Sequence, residues 1–387
     1  MIIGVPKEIM PGERRVSATP ETVKAMRTMG LEVLVENEAG AGAYFSNSEY
    51  IAAGAEIVDC PVEIYKRADM ILKVKEPQFN HDHNMHEVEM MHDGQYLITF
   101  IHPAAPANHE MVRKLAAQGV ISLTLDSIPR ISRAQAMDAL TSMSTCAGYK
   151  GSLLAANHLP VFMPMMATAV GMIKPTQSLV IGTGVGGLQA IATLKRLGSV
   201  VHAADIRPDA AEQAMSLGAK VLDLGIAPED AIGQGGYALA LSAENLEKER
   251  AVLAEAVKDK DIIFLSALVP GKEAPVLITE EMVKTMKPGS VIVDISIDQG
   301  GNCEITPPGK TEIKHDVTLI GIKNIPGMLP TSSTWMFSQN VLNLVKYVVK
   351  DGGIKLNLED DIIKEALTTY GGKVVHKGAL EAFALHQ

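Results

Sequence analysis

Short apolar runs alternate along the chain with segments in which apolar residues recur every three to four positions. The first pattern is typical of strands buried in a sheet, and the second of helices that pack against it. In the first part of the chain, strands are predicted at 31–36, 70–74 and 96–101, and helices at 20–29 and 109–118. This alternation predicts an α/β architecture with a parallel sheet.

The same rhythm returns after residue 175, which indicates a second α/β unit. Its predicted strands lie at 179–181, 200–204, 220–222, 262–264, 290–295 and 318–322, and its helices begin near 188 or lie at 209–216 and 280–286. Residues 223–250 carry no strand pattern and are interpreted as a mobile surface excursion. We therefore predict two Rossmann-like parallel-sheet domains, separated by a cleft and joined by long helices.

The joining helices are predicted at 132–158, which contains few helix breakers, and at 332–349. We expect the chain beyond 349 to cross back and pack on the first domain. The N-terminal, substrate-side domain is then predicted to comprise residues 1–137 and 332–387, and the nucleotide-binding domain residues 138–331.

Composition narrows the class of protein. The chain has 387 residues, is 47% hydrophobic and carries a net charge of −10, which disfavours nucleic acid and anionic lipid as partners. Three scattered cysteines, Cys60, Cys146 and Cys303, predict no disulfide framework, and no metal site is expected. The sequence lacks a signal peptide and an apolar stretch long enough to span a membrane. We expect a cytoplasmic protein whose link to a membrane, if any, depends on a partner.

The motif GTGVGG follows an apolar run and precedes a helical pattern, as a dinucleotide-binding loop requires. Gly182 is expected to make the tight turn, Gly184 to let the backbone approach a pyrophosphate, and Gly187 to allow close helix packing. Asp205 ends the next strand, where a carboxylate can accept bonds from the adenosine ribose, which favours NAD over NADP. The alternative is a glycine-rich turn without a nucleotide. Arg207 is expected to pack on the adenine or to be solvated.

Charged residues and an imidazole follow other predicted strands, where ligands of open parallel sheets collect. Arg15 and Lys75 are candidates to hold a substrate carboxylate, His102 to move protons and Asp298 to hold an ammonium or orient a water. Together with a nicotinamide site, this set is chemically complete for oxidation of a small amino acid. Asp294 lies deeper in the same predicted strand as Asp298 and is assigned a structural role.

Each of these residues also has a simpler interpretation. A lone histidine is more often a surface or capping residue than an acid or base, and a lysine at a strand end is usually solvated. Arg15 can pair with a local acid such as Glu13.

The segments GTGVGG, DISIDQGGNC, KVKEP and FIHPAA together resemble the alanine dehydrogenase and proton-translocating nicotinamide nucleotide transhydrogenase family, over nearly the whole chain. For the dehydrogenase branch, the resemblance implies carboxylate binding by Arg15 and Lys75, proton transfer by His102 and catalysis by Asp298. It also implies that Asn324 contacts the nicotinamide or substrate.

The segment PRISRAQAMDALTS at 129–142 is similar to a signature of the transhydrogenase branch. In that branch the segment lies beside the nicotinamide and faces an NADP-binding subunit, which implies cofactor contacts from Arg130, Gln135, Asp138 and Ser142. GGYA at 235–238 and the stretch 270–294 are also similar to that branch. Our first prediction is therefore the NAD(H)-binding first alpha polypeptide of a split transhydrogenase, which passes a hydride to NADP on a partner subunit.

Two alternatives stay open. Transhydrogenase alpha subunits commonly lack counterparts of Lys75, His102 and Asp298, so their presence favours a self-sufficient, alanine-type amino-acid dehydrogenase that acts on a small L-amino acid or 2-oxo acid. The second alternative is a non-enzymatic NAD sensor. The resemblance also implies a homo-oligomer, a dimer in one branch and often a hexamer in the other.

Overall fold

The computed structural model describes residues 1–233, 238–269, 273–350 and 352–385. The chain forms two compact units: the first comprises Met1–Met143 and Gly327–Gln387, and the second comprises Ser144–Pro326. In both units helices connect the strands of a mainly parallel sheet, so the predicted α/β class with two Rossmann-like sheets is confirmed.

The first unit is built on a sheet whose edge strands come from different parts of the chain. The strands lie in the order Lys373–Val374, Leu367–Tyr370, Ile121–Thr124, Tyr96–Thr99, Met70–Leu72, Ile2–Val5, Glu32–Glu36 and Glu56–Val58. All neighbours pair in parallel except the two C-terminal strands, which are antiparallel. The sheet therefore takes its last strands from the C-terminus.

Helices cover this sheet. Helices and 3-10 turns of the first unit are Pro20–Thr28, Ala41–Ala43, Asn47–Ala52, Pro61–Arg67, Glu87–Met90, Pro106–Asn108, His109–Ala117, Leu125–Ser127, Ser132–Met137, Pro330–Val348, Asp361–Ala366 and Lys377–Leu385. Two small hairpins pair Phe79–Asn80 with Met85–His86 and Val349–Lys350 with Gly353–Ile354. Buried aliphatic side chains such as Ile71 and Leu97 pack against Leu115 and Ile64 of the covering helices, so the apolar strand pattern is used to form a core.

The second unit has the strand order Lys220–Val221, Val200–Ala204, Gln177–Ile181, Ile262–Leu265, Val291–Asp294, Val317–Ile320 and Thr311–Lys314. Only the last pair is antiparallel among these strands. The strand order reverses between Gln177–Ile181 and Ile262–Leu265, and this switch point is where open α/β sheets bind ligands.

The helices and 3-10 turns within the second unit are Val185–Arg196, Pro208–Ser216, Pro228–Ala231, Ala243–Ala256, Val257–Asp259, Glu280–Lys284 and Ile297–Gln299. A hairpin of Met166–Thr168 and Gly171–Ile173 precedes the sheet. The chain passes between the units within the helix Ala139–His158 and within the 3-10 turn Ile325–Met328.

Two predictions about local structure are wrong. The predicted helix at 132–158 is a 3-10 turn, Ser132–Met137, followed by the helix Ala139–His158. Asp138 separates them because its carboxylate accepts bonds from the backbone N and side chain of Thr141, 2.9 Å and 2.7 Å away, and thereby caps the helix.

The region 223–250 is not an unstructured excursion over its described residues. It contains the helix Pro228–Ala231 and the first half of the helix Ala243–Ala256, which Ser242 caps. Leu253 anchors the longer helix in the core. Residues 235–237 of the GGYA segment and 270–272 at the start of the second transhydrogenase-like stretch lie outside the described residues.

Over the described part of the chain, no helix is both long and apolar enough to cross a membrane.

Candidate functional site

The glycine loop lies at the switch point of the second sheet. Gly182 follows the strand Gln177–Ile181 with a φ of 84°, a left-handed conformation that favours glycine. A Cβ there would lie 2.6 Å from the backbone N of Ala267, which follows the neighbouring strand. The tight turn and its close packing both depend on the missing side chain.

The other two glycines of the motif differ in their surroundings. Gly184 is the N-cap residue of the helix Val185–Arg196, and a Cβ there would meet open space. A Cβ on Gly187 would lie 1.9 Å from the carbonyl oxygen of Gly182. Gly187 thus brings the helix against the loop, while the space at Gly184 leaves room for a ligand near the helix N-terminus, whose free N–H groups attract anions. This cradle fits a pyrophosphate.

Asp205 lies where the sequence predicted, after the strand Val200–Ala204, and it has protein partners. Its Oδ2 accepts hydrogen bonds from the backbone N of Thr183 at 2.7 Å and from Arg207 Nη2 at 3.0 Å. The expectation that Arg207 is solvated is wrong: its guanidinium donates to both oxygens of Asp205. Asp205 therefore ties the glycine loop to the end of the next strand.

In the first unit, three adjacent parallel strands end in Lys75, His102 and Asp126. His102 Nδ1 lies 2.6 Å from Asp126 Oδ1, and the backbone N of His102 donates to Oδ2 at 2.7 Å. Thr124 Oγ1 and the backbone N of Ile101 donate to the same oxygen. The carboxylate thus fixes the imidazole and its backbone, and leaves Nε2 of His102 for other partners.

The charges of this pair shift both groups. Burial lowers the pKa of His102, but the charge and hydrogen bond of Asp126 outweigh burial and leave the pKa raised. Burial would raise the pKa of Asp126, but His102 and the donated hydrogen bonds lower it to about 2. The His102 side chain stays 42% exposed and stacks on Phe100 at 5.7 Å with an interplanar angle of 3°. His102 also has a positive φ of 49°, which is uncommon outside glycine and recurs at functional sites.

Lys75 is half-buried, and its charge lowers the pKa of His102 somewhat, so the two groups interact. A buried carboxylate holds the backbone of this strand end: Glu8 Oε1 accepts from the N of Val74 at 2.6 Å. Burial raises the pKa of Glu8 to about 7, although the buried Lys73 opposes the shift. Lys73 Nζ also lies 2.8 Å from Glu87 Oε1. The segment before Lys75 is therefore fixed by buried charges.

Arg15 is buried and paired with Glu13. Its Nε and Nη2 donate to the two carboxylate oxygens at 2.8 Å and 2.6 Å, and Nη1 lies 3.0 Å from the sulfur of Met143. The structure thus matches the simpler interpretation of Arg15, because its guanidinium already binds a carboxylate of its own chain.

The transhydrogenase-like segment has exposed and buried parts. Arg130 and Gln135 are exposed, Asp138 is half-buried and caps a helix, and Ser142 is buried in that helix. Arg130 and Gln135 are therefore the members of this set that the unit presents to solvent.

The two carboxylates after the strand Val291–Asp294 differ completely. Asp294 is buried; its oxygens accept from the backbone N of Ser296, Asn302 and Cys303 at 2.7–3.0 Å. Burial raises the pKa of Asp294 to about 6 despite these donors. Asp298 is exposed in the 3-10 turn Ile297–Gln299. The strand ends at Asp294, so the interpretation that both lie on one strand face is wrong.

Asn324 follows the strand Val317–Ile320 in the second unit, is half-buried and has a φ of 53°. With Gly182, Asp205 and Asp298, it places predicted site residues after four parallel strands of that sheet. Within the described residues, no group of three or more His, Cys, Asp or Glu side chains is arranged to hold a metal ion.

Sequence reasoning missed Asp126 and Glu8. Asp126 stands beside PRIS in the sequence and contacts His102 from the next strand, so only the strand order brings the two together. The available signal was a carboxylate after an apolar run, the same signal that selected Asp205 and Asp298.

Comparison with known proteins identifies the two halves. Residues 4–147 match the family model described as alanine dehydrogenase/PNT, N-terminal domain, and residues 152–377 match the corresponding C-terminal domain. The first of the separate parts of NAD(P) transhydrogenase subunit alpha of Rhodospirillum rubrum is 42% identical over 97% of this chain and 98% of its own length. "Alanine dehydrogenase" of Methanococcus maripaludis is 31% identical over 100% of this chain and 97% of its own.

Solved structures agree. A transhydrogenase from Sinorhizobium meliloti has a TM-score of 0.83 at 34% identity and covers 97% of this chain and 99% of its own. An L-alanine dehydrogenase has a TM-score of 0.82 at 28% identity and covers all of both chains. The resemblance inferred from the sequence motifs is confirmed: this chain belongs to the alanine dehydrogenase/PNT family.

Proposed function

We propose that this chain is the NAD(H)-binding alpha-subunit component of a NAD(P) transhydrogenase, and that it passes a hydride between NADH and NADP held by a partner subunit. The observation that carries the proposal is the higher identity to transhydrogenase alpha subunits than to alanine dehydrogenases over the same length.

The glycine cradle supports the cofactor assignment. Gly182, Gly184 and Gly187 would hold the pyrophosphate at the N-terminus of the helix Val185–Arg196. Asp205 would accept from the adenosine ribose, for which Oδ1, shared with Arg207, is the oxygen not bonded to Thr183. When bound, NAD(H) supplies the hydride or its acceptor at the nicotinamide ring.

The exposed segment at 129–142 would serve the other end of the cofactor. Arg130 and Gln135 are available as donors, and Asp138 and Ser142 fix the start of the helix Ala139–His158. In our proposal these residues, with Asn324, orient the nicotinamide and exclude water during transfer.

The test reconstitutes the complex. The purified chain is mixed with the NADP-binding and membrane subunits of a NAD(P) transhydrogenase, and NADH-dependent reduction of an NADP analogue is followed. The homologous alpha polypeptide of Rhodospirillum rubrum serves as the positive control. Reduction with the control and none with this chain would contradict the proposal.

A self-sufficient amino-acid dehydrogenase is the second candidate, favoured by the His102–Asp126 pair beside Lys75. Lys75 would hold the substrate carboxylate, and Asp298 the ammonium. His102 would give and accept protons while the imine, formed when hydride leaves Cα, is hydrated and releases ammonium and the 2-oxo acid. The raised pKa of His102 suits a group that exchanges protons near neutrality.

Incubating the chain alone with NAD and a panel of small L-amino acids tests this candidate. NADH formation that His102→Ala abolishes, without loss of NAD binding, would support it. No NADH with any member of the panel would remove it.

Self-association is proposed through the hairpin of the second unit. The apolar side chains there are strongly exposed: Val170 is 99% exposed, Met172 71% and Met165 61%. A two-stranded hairpin with such a surface is marginal alone and favours burial against a second copy. Sedimentation of wild type and Val170→Asp tests this, because a dimer should become a monomer; equal masses would contradict it. We place the complex at the membrane through its partner subunits.

A further inference from the structure

The 3-10 turn Ser132–Met137 is tied to the C-terminal part of the same unit by Arg133. Arg133 Nη1 donates to Asp360 Oδ2 at 2.6 Å and to the Tyr347 hydroxyl oxygen at 2.7 Å. That hydroxyl donates to the same carboxylate oxygen at 2.8 Å. Nη2 lies 3.6 Å from Asp361 Oδ2. Arg133 thus enters a closed triangle with two side chains more than two hundred residues later in the sequence.

A second tie holds the other end of the turn. The side-chain amides of Asn340 and Asn343 both donate to the carbonyl oxygen of Ala136, at 3.0 Å and 3.2 Å. Both belong to the helix Pro330–Val348. Between the two ties, Ala134 and Met137 are buried, whereas Gln135 is exposed. The turn is fixed from beneath while its functional candidates stay accessible.

Asp360 is itself fixed. Its Oδ1 accepts from the backbone N of Ile362 at 2.9 Å and caps the helix Asp361–Ala366. Burial would raise the pKa of Asp360, but Arg133 and Tyr347 outweigh it and leave the pKa lowered. The partner of Arg133 is therefore a charged group held by a helix end.

Exposure distinguishes this tie from an element of the core. The Arg133 side chain is 46% exposed, and an ion pair so open to water adds little to global stability. Opening of a short surface turn costs far less than global unfolding, so one such tie can still decide the order of the turn.

We propose that Arg133 is a positioning residue for hydride transfer: through Asp360 and Tyr347 it fixes the segment that presents Arg130, Gln135 and Asp138. The inference rests on the proposed transhydrogenase function, because that function gives the segment its role. A misplacement of the order of 1 Å beside the reacting ring is enough to slow transfer by about a hundredfold.

Arg133→Ala is the central variant, and Arg133→Lys and Asp360→Asn accompany it. Lysine keeps the charge but cannot reproduce the planar fork, and asparagine keeps an oxygen for the helix cap while removing the ion pair. Arg67→Ala is the matched control, because Arg67 makes a comparably exposed pair with Glu56 in the same unit.

Three measurements separate positioning from a structural role: hydrogen exchange of amides 132–138, NADH affinity of the chain alone, and the transfer rate in the reconstituted complex. We expect Arg133→Ala to speed exchange and to lower the transfer rate by about tenfold or more, with NADH affinity unchanged. Arg133→Lys should recover part of the rate, Asp360→Asn should resemble Arg133→Ala, and Arg67→Ala should match wild type.

Unchanged exchange or an unchanged transfer rate in both Arg133→Ala and Asp360→Asn would overturn the inference, as would an equal loss of NADH affinity. If wild type itself transfers no hydride, the proposed function fails, and exchange alone then decides whether Arg133 orders the turn. Should Arg133→Ala fail to fold, Arg133→Lys and Asp360→Asn decide the same question.

Discussion

The C-terminal strand ends of the two sheets are built from different chemistry. In the first unit they carry side-chain charges in pairs: His102 with Asp126, and Lys73 with Glu87. In the second unit they carry glycines, and their carboxylates are held largely by backbone N–H groups, as in Asp294. Paired side chains can give and take protons, whereas backbone donors and a helix N-terminus can hold an anion without titrating. One fold class therefore supplies two kinds of site.

The glycine edge gives the largest expected effect. Gly187→Ala places a Cβ 1.9 Å from the Gly182 carbonyl oxygen, so the helix must move away from the loop. We expect NAD affinity to fall by about a hundredfold, measured by calorimetric titration. Gly184→Ala, where the Cβ meets open space, should leave the melting temperature unchanged and lower affinity less. Equal affinities in the two variants would contradict the assignment of the three glycines.

Asp205 tests whether the second edge also uses a side chain. Asp205→Ala should weaken NAD by about tenfold, since a charge-assisted pair of hydrogen bonds is lost, and should reduce the preference over NADP. Arg207→Ala is the control, because it keeps the carboxylate. Binding titrations with both nucleotides decide, and an unchanged preference in Asp205→Ala would refute the ribose assignment.

Glu249 is a buried carboxylate of the second unit outside the pairing seen in the first. Burial, with a smaller repulsion from Asp205, raises the pKa of Glu249 to about 7. The folded state then binds the proton more tightly than the unfolded state, so its stability falls as pH rises from about 4.5 to 7. Glu249→Gln should stabilise the protein by about 1–2 kcal/mol above pH ~7 and by much less near pH ~4.5. Thermal melts over this range check it, and a gain independent of pH would contradict it.

The His102–Asp126 pair should give the smallest change in stability and the opposite dependence on pH. The raised pKa of His102 adds stability that is complete below about pH 6.5 and is lost as pH rises through its folded pKa. The low pKa of Asp126 adds stability that is present above about pH 4 and lost on acidification towards about 2.

Asp126→Asn should therefore destabilise the protein most between pH ~4 and ~6.5, by no more than about 1 kcal/mol because the imidazole is part-exposed. The His102 pKa, followed by NMR titration, should fall. Asp126→Glu is the control that keeps the charge. An unshifted imidazole titration in Asp126→Asn would show that the carboxylate does not act on His102.

Local features could be predicted from the sequence, and contacts across strands could not. Gly182, Gly184 and Gly187 act on a turn and helix that follow each other in the chain, so their spacing alone indicated their packing. Asp126 meets His102 because two strands lie side by side, which no local spacing encodes. Asp138 was read as part of a helix because its neighbours are good helix formers, and only its bond to Thr141 reveals the cap. The tie between Arg133 and Asp360 depends on the return of the C-terminus.

That return also sets an order of events during synthesis. The second unit, Ser144–Pro326, is one uninterrupted stretch and can complete its sheet as soon as it leaves the ribosome. The first unit began earlier, yet Leu367–Tyr370 must pair with Ile121–Thr124 before its sheet has both edges. Until translation is nearly finished, the strand Ile121–Thr124 has an uncovered side that can pair with the wrong chain. The half of the protein made first is thus the half that matures last.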